Sequence, residues 1–209
     1  MLLLAFDTAT PAVTVALHDG EAVVAEHTVI DAMRHGELLA PGIADVLQRA
    51  GADRRQLTDI AVGVGPGPFT GLRVGLVTAR TLGEVLGVPV HGVCSLDVLA
   101  AEADVDGPFV VATDARRKEV YWAAYADRRT RTSGPHVARP ADVEAPGAVV
   151  GRGAVLYPDA FPKPAAPENP SAAVLAEQVV RGHVEVLPPD PLYLRRPDAV
   201  AATARKKVR

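Results

Sequence analysis

The sequence predicts an α/β protein built from two similar halves. Three observations carry that prediction. Its strands are short, continuous apolar runs, the form taken by strands covered on both faces. A β-meander is followed by alternating helices and strands. A strand that ends in aspartate, with a second strand close behind, occurs twice at a fixed offset. At 209 residues the chain is long enough for one or two domains with a buried core.

Leu2 to Phe6 is the first apolar run, and Ala12 to Leu17 follows with β-branched Val13, Thr14 and Val15. Asp19-Gly20 is a hairpin turn signal, and Ala22 to Ile30 completes the meander. Helical periodicity runs from His35 to Ala50, with Leu39, Ile43, Val46, Leu47 and Ala50 on one face and Gly51 as the stop. Pro41 lies inside that run, so the regular helix starts just before it or is kinked there. Ile60 to Val64 is a fourth strand. A glycine-rich loop then leads into a helix over 70–86, a strand over 88–93, and a short helix to Ala103 that Ser95 is positioned to cap. The order β-β-β-α-β-α-β-α is that of a ribonuclease H-like unit.

After Gly107-Pro108 the pattern starts again. Phe109 to Thr113 is a strand ending at Asp114, and Glu119 to Ala126 is its neighbour. Asp7 and Asp114, Val13 and Val120, and Val15 and Trp122 each differ by 107 positions. The expectation is therefore a first subdomain over 1–106 and a smaller second one over 107–209, facing each other across a cleft. Residues 127–147 read as strand and loop, and 158–170 as a proline-rich linker. Ser171 caps a last helix that includes Val174, Leu175, Gln178 and Val179 and ends at Gly182.

Composition excludes several classes. Hydrophobic residues make up 48% and charged residues 22%, the profile of a soluble globular protein. A net charge of −3 argues against a strongly cationic nucleic-acid surface. The single cysteine, Cys94, rules out an internal disulfide and fits a reducing compartment. The start lacks a basic leader and Asp7 cuts its apolar run short; no stretch reaches the ~18 apolar residues of a membrane span. The expected location is the cytoplasm. Arg205, Lys206, Lys207 and Arg209 form a basic tail, read either as a solvated terminus or as a weak RNA contact.

Four features could carry chemistry. The segment from Gly63 to Gly75 resembles a phosphate loop. It lacks the lysine that should follow the second glycine, since Leu72 follows Gly71, and Pro66 and Pro68 have no N–H to offer an anion. The helix start at Phe69, Thr70 and Gly71 could still hold one; the other reading is a stiff turn. The helix that follows has two apolar stripes. Leu72, Leu76, Ala79, Gly83 and Leu86 form one, and Val74, Val77, Thr81 and Val85 the other. One stripe suffices for a helix in a lone domain, so the second points to a partner or to further burial by the chain itself. Gly71 and Gly75 would leave a flat patch for that partner, flanked by Arg73 and Arg80. Asp7 and Asp114 could hold a Mg²⁺–nucleotide across the cleft, or could simply be turn formers. Finally, no two of the histidines His18, His27, His35, His91, His136 and His183 lie within four residues of each other, so none can chelate a metal as a helical pair.

Ala5-Phe6-Asp7-Thr8-Ala9-Thr10, Arg34-His35-Gly36-Glu37-Leu38-Leu39, the run Gly63 to Gly75, Asp114-Ala115-Arg116-Arg117-Lys118-Glu119-Val120-Tyr121 and Tyr193-Leu194-Arg195 together resemble the TsaB (YeaZ) family. The resemblance spans essentially the whole chain. It implies two ribonuclease H-like subdomains of the actin/sugar-kinase/Hsp70-like superfold. It also implies a relationship to TsaD-like catalytic subunits, whose metal-binding His-x-x-x-His would fall at Ser95 and Leu99 here. The expected role is a non-catalytic subunit of the complex that places threonylcarbamoyl on adenosine 37 of tRNA. Expected partners are a TsaD-like subunit, a TsaE-like ATPase and, when alone, a second copy of the chain, with tRNA reached only through the complex. The implied interface comprises His35, Leu39, Ile43, Thr70, Gly71, Arg73, Val74, Gly75, Val77, Arg80 and Thr81. Asp7, Thr8 and Asp114 remain a possible nucleotide cleft. No cofactor is expected in the isolated chain, ATP or ADP at a shared complex interface being the one option. The alternative function is an independent nucleotide-dependent kinase or ATPase of the same superfold.

Overall fold

The computed structural model describes residues 1–194; the basic tail and Arg195 lie outside the described residues. The first sheet contains β1 (Leu3–Asp7), β2 (Ala12–His18), β3 (Val23–Ile30), β4 (Asp59–Gly63) and β5 (Val90–Val93), in the order β3-β2-β1-β4-β5. The second contains β6 (Phe109–Asp114), β7 (Val120–Asp127), β8 (Thr130–Ala138), β9 (Val149–Val150) and β10 (Pro164–Ala165), in the order β8-β7-β6-β9-β10. The two orders are equivalent. In each, the meander pairs antiparallel and the two later strands pair parallel. Repetition of this unit defines the duplicated ribonuclease H-like architecture of the actin/sugar-kinase/Hsp70-like superfold.

The ladder corrects one detail of the repeat. Asp7 pairs with Thr14, whereas Asp114 pairs with Val120. The first strands are thus offset by 107 positions and the second by 106. The turn between β6 and β7 is one residue shorter, so Val13 and Val15 are not the register equivalents of Val120 and Trp122.

Five layers stack. Helices α1 (His35–Arg49) and α2 (Phe69–Leu86) cover one face of the first sheet, where Leu39, Val46, Leu72, Leu76 and Ala79 meet Leu4, Phe6, Val13, Val15 and Val62. The opposite face packs Leu3, Ala5, Ala16 and Ala61 against Ala172, Leu175 and Ala176 of α5 (Ala172–Val180). Helix α3 (Ser95–Glu102) lies against α5 and also against β6 and β7, with Leu96, Leu99 and Ala100 joining Phe109, Val111, Ala123 and Tyr125. Helix α4 (Arg152–Leu156) closes the outer face of the second sheet around Ala112, Val120, Ala154 and Phe161. Burial on both faces explains why β1 and β2 read as unbroken apolar runs.

The two halves exchange helices. α3 belongs to the first half by sequence yet packs on the second sheet, and α5 belongs to the second half yet packs on the first. A cut at 106/107 therefore separates the sheets without separating the cores.

Three local expectations change. Helix α1 starts six residues before Pro41 and runs through it, with Pro41 exposed. Ser95 does not cap α3: Cys94 is the N-cap and no side chain caps the helix. The stretch at 158–170 is no free linker, because Pro164–Ala165 pairs with β9 as β10. Ser171 caps α5 as expected, its Oγ accepting from the N–H groups of Ala173 and Val174 at 3.2 and 3.4 Å.

Candidate functional site

The two strand-end aspartates perform the same local task. Asp7 Oδ1 accepts the Ala9 N–H at 2.7 Å, and Asp114 Oδ1 accepts the Arg116 N–H at 2.7 Å. Both are turn formers of the side-chain-to-backbone kind. Beyond that they diverge. Asp7 is buried, and its second oxygen accepts from Ser95 Oγ–H at 2.5 Å. Gly65 N–H donates to Ser95 Oγ at 3.3 Å, and a Cβ at Gly63 would collide with the Asp7 carboxylate. Burial raises the Asp7 pKa above the usual carboxylate value, against the opposing pull of the Ser95 and Ala9 hydrogen bonds and the charge of His35. Asp7 is thus buried with both carboxylate oxygens hydrogen-bonded inside the chain. Asp114 is partly accessible and meets the Arg116 guanidinium at 3.4 Å.

Thr8 is tied to α2. Its hydroxyl donates to the Gly71 carbonyl at 2.9 Å and accepts from Gly75 N–H at 3.1 Å. A Cβ on Gly71 would lie 2.6 Å from the Thr8 carbonyl oxygen, and one on Gly75 would lie 2.5 Å from Thr8 Oγ1. The two glycines therefore seat α2 on the β1–β2 turn. This corrects the expectation of a flat outer patch: Gly71 and Gly75 face inward, and their lack of a side chain serves the chain's own packing.

His35 and Leu39 also face inward. His35 is buried and donates through Nε2 to the Thr10 carbonyl at 2.7 Å, while Leu39 belongs to the core. Ile43 is half-buried against that core. Arg73 and Arg80 are exposed but engaged. Arg73 Nε donates to Tyr193 Oη at 2.9 Å, and Arg80 donates to the Pro189 carbonyl at 2.8 Å and pairs with Asp190. They hold the C-terminal segment, whose backbone also pairs at Gly92–Leu187 and donates from Leu192 to Val64.

What remains outward on α2 is its second stripe. The inner stripe is buried at Leu72, Leu76 and Ala79. Val77 and Val85 stand 62% and 74% exposed, with Thr81 exposed between them. Ile30 at the end of β3 and Met33 in the turn before α1 are 66% and 88% exposed. Where the starts of α1 and α2 meet the second half there is a hollow of about 300 Å³, bounded by Thr8, His35, Thr70, Gly71, Val74 and Arg116. Arg116 belongs to a basic turn, Arg116-Arg117-Lys118, with φ of 61°, 55° and 61°. Three successive left-handed non-glycine residues are costly on steric grounds. Asp114 offsets part of that cost through its bond to Arg116 N–H. The structure therefore unites Thr8, His35, Thr70, Gly71 and Val74 around one hollow and leaves Asp7 outside it.

Ser95 and Leu99 are both committed to packing, Ser95 on Asp7 and Leu99 in the α3–second-sheet core. Among the described residues no group of three or more His, Cys, Asp or Glu side chains could hold a metal ion, and no helix is long and apolar enough to cross a membrane.

The two equivalent sheets, each a β-meander followed by two parallel strands, define a class: two-unit α/β proteins of the actin-like type. A family model described as TsaD, tRNA N6-adenosine threonylcarbamoyltransferase, matches residues 29–183. The structure is similar to YeaZ from Pseudomonas aeruginosa, with a TM-score of 0.77 and 31% identity, covering 92% of this chain and 99% of that one. An uncharacterized protein of Mycobacterium tuberculosis is 45% identical over 201 residues, covering 94% of this chain and 93% of the relative. The tRNA threonylcarbamoyladenosine biosynthesis protein TsaB of Escherichia coli is 37% identical over 129 residues, covering 60% of this chain and 55% of the relative. The chain belongs to the TsaB (YeaZ) family, within the wider TsaD-like group.

Proposed function

We propose that this chain is the non-catalytic docking subunit of the complex that installs threonylcarbamoyl on adenosine 37 of tRNA. The observation that carries the proposal is the uncovered apolar stripe of α2 at Val77 and Val85. A helix that buries Leu72, Leu76 and Ala79 inside its own unit has no need of a second valine face in water. Its relatives support the pathway, since the similar E. coli protein is named for tRNA threonylcarbamoyladenosine biosynthesis. The non-catalytic reading is supported by Ser95 and Leu99. They stand where the TsaD-like metal pair is expected, and both are spent on packing.

The partner is a TsaD-like subunit that lays its own helices across the outer face of α2 and the entry to α1, with a TsaE-like ATPase joining the pair. The same face pairs two copies of this chain when the partner is absent. The hollow bounded by Thr8, His35, Thr70 and Arg116 is the place where ATP or ADP would be shared between subunits, with Arg116 supplying charge. The test is depletion of this protein in its own cell, with tRNA nucleosides read by mass spectrometry. Loss of N6-threonylcarbamoyladenosine is expected; an unchanged level contradicts the proposal.

A further inference from the structure

A second hollow, of about 330 Å³, lies away from α2, where α3, the β7–β8 hairpin and the segment after α5 converge. Its floor is an ion network. Arg131 donates through one nitrogen to both Asp97 oxygens at 3.2 and 3.1 Å and through the other to Glu185 at 3.3 Å. Tyr125 Oη–H donates to Asp97 at 2.7 Å. Asp97 is therefore saturated, and Arg131 is held rigid from two sides.

The rim is different. Arg128 and Arg129 are exposed and line the opening with His183. Among the described residues Arg128 is paired with Asp104 alone, whose side chain is fully exposed; such a pair is screened and contributes little. Asp127 is occupied in capping the hairpin turn, accepting from the N–H groups of Arg129 and Thr130. His183 Nδ1 is buried and has no hydrogen-bond partner among the described residues. The sequence adds an independent sign. From Arg128 to Arg139 the chain carries four arginines and one histidine with no acidic residue, although the whole chain has a net charge of −3.

We infer that this hollow is an anion site for a phosphate group, with Arg128 and Arg129 on its rim as the binding cations and Arg131 fixed in its floor by Asp97 and Glu185. Arginine suits that ligand because its planar fork matches phosphate oxygens in pairs. The phosphate could be carried by a small molecule or by an RNA backbone, and the two sources differ in salt dependence. An RNA strand engaging several cations weakens steeply with salt, and a single phosphate weakens gently. The inference is independent of the α2 surface, so failure of partner docking leaves it standing.

The experiment is amide NMR of the intact purified chain, titrated in turn with inorganic phosphate and with a short single-stranded RNA, against chloride at matched ionic strength. Shifts concentrated at Asp97, Tyr125, Arg128 to Arg131 and His183 to Glu185 are expected. The double variant Arg128→Ala/Arg129→Ala, both on exposed positions that should spare the fold, should weaken binding about tenfold or more. A response to phosphate identifies a small ligand; a response to RNA alone, with a steep salt slope, identifies a backbone. Absence of shifts with both probes, equal shifts with chloride, or an unchanged double variant overturns the inference.

Discussion

Ser95 Oγ donates to Asp7 Oδ2 at 2.5 Å, joining the first turn of α3 to the end of β1 across 88 positions of sequence. This bond turns the corner that could have been an open carboxylate cleft into a closed, internally satisfied one. Replacing Ser95 with Ala removes the donor and leaves one oxygen of a buried carboxyl unpartnered. The expected loss is about 2 kcal/mol of unfolding free energy, because bonds to charged groups are among the stronger ones. Urea denaturation measures it, and a midpoint equal to the parent's would show that the bond contributes nothing.

Asp7 also makes stability depend on pH. Its folded pKa is raised, chiefly by burial. The folded state therefore holds its proton longer than the unfolded chain, and stability falls as pH climbs from the unfolded carboxyl value of about 4 towards the folded one. Asp7→Asn removes that ionisation. The stability difference between parent and variant should shift in the variant's favour as pH rises from 4 to 7. A difference that stays flat across that range would mean Asp7 titrates normally.

Gly75 seats α2 on Thr8. An alanine there gains helix propensity of about 1 kcal/mol. Its Cβ would lie 2.5 Å from Thr8 Oγ1, and that hydroxyl is already bonded to Gly71 and Gly75. Overpacking of a held neighbour costs about 1–3 kcal/mol, so a net loss of stability is expected for Gly75→Ala. Thermal melting decides the sign, and a raised melting temperature would show that the β1–β2 turn yields freely.

Much of this was legible in the sequence where one physical signal dominated. β1 and β2 announced themselves because both faces are covered. The two stripes of α2 followed from helical spacing, and burial at Leu72 with exposure at Val77 matches the two-face reading. The duplication was visible in the strand-end aspartates, though a shorter β6–β7 turn shifted the second strand by one register. The remainder depends on contacts that no local pattern encodes. Ser95 reads as a helix cap until Asp7 is placed beside it. The bonds from Arg73 and Arg80 to the segment at 187–194 join positions 120 and 109 apart, which no local pattern encodes. β10 has only two residues, one of them proline, too few for any alternation to show. The exchange of α3 and α5 between sheets is a property of topology, invisible to periodicity. Among the interface residues the sequence named, His35, Leu39, Gly71 and Gly75 are inward supports, while Val77 and Thr81 face out.

The proposed docking face is the outer stripe of α2, and Val77→Glu puts a charge in the middle of it. Val77 is 62% exposed, so the substitution should leave the isolated fold intact. Within a complex it would place an unpaired charge in an apolar contact, which costs several kcal/mol, about 3–5 by analogy with broken buried pairs. The measurement is co-purification of the TsaD-like subunit with tagged parent and variant chains of equal melting temperature. The parent should retain the partner and the variant should lose it; retention of the partner by both would contradict the assignment of this face.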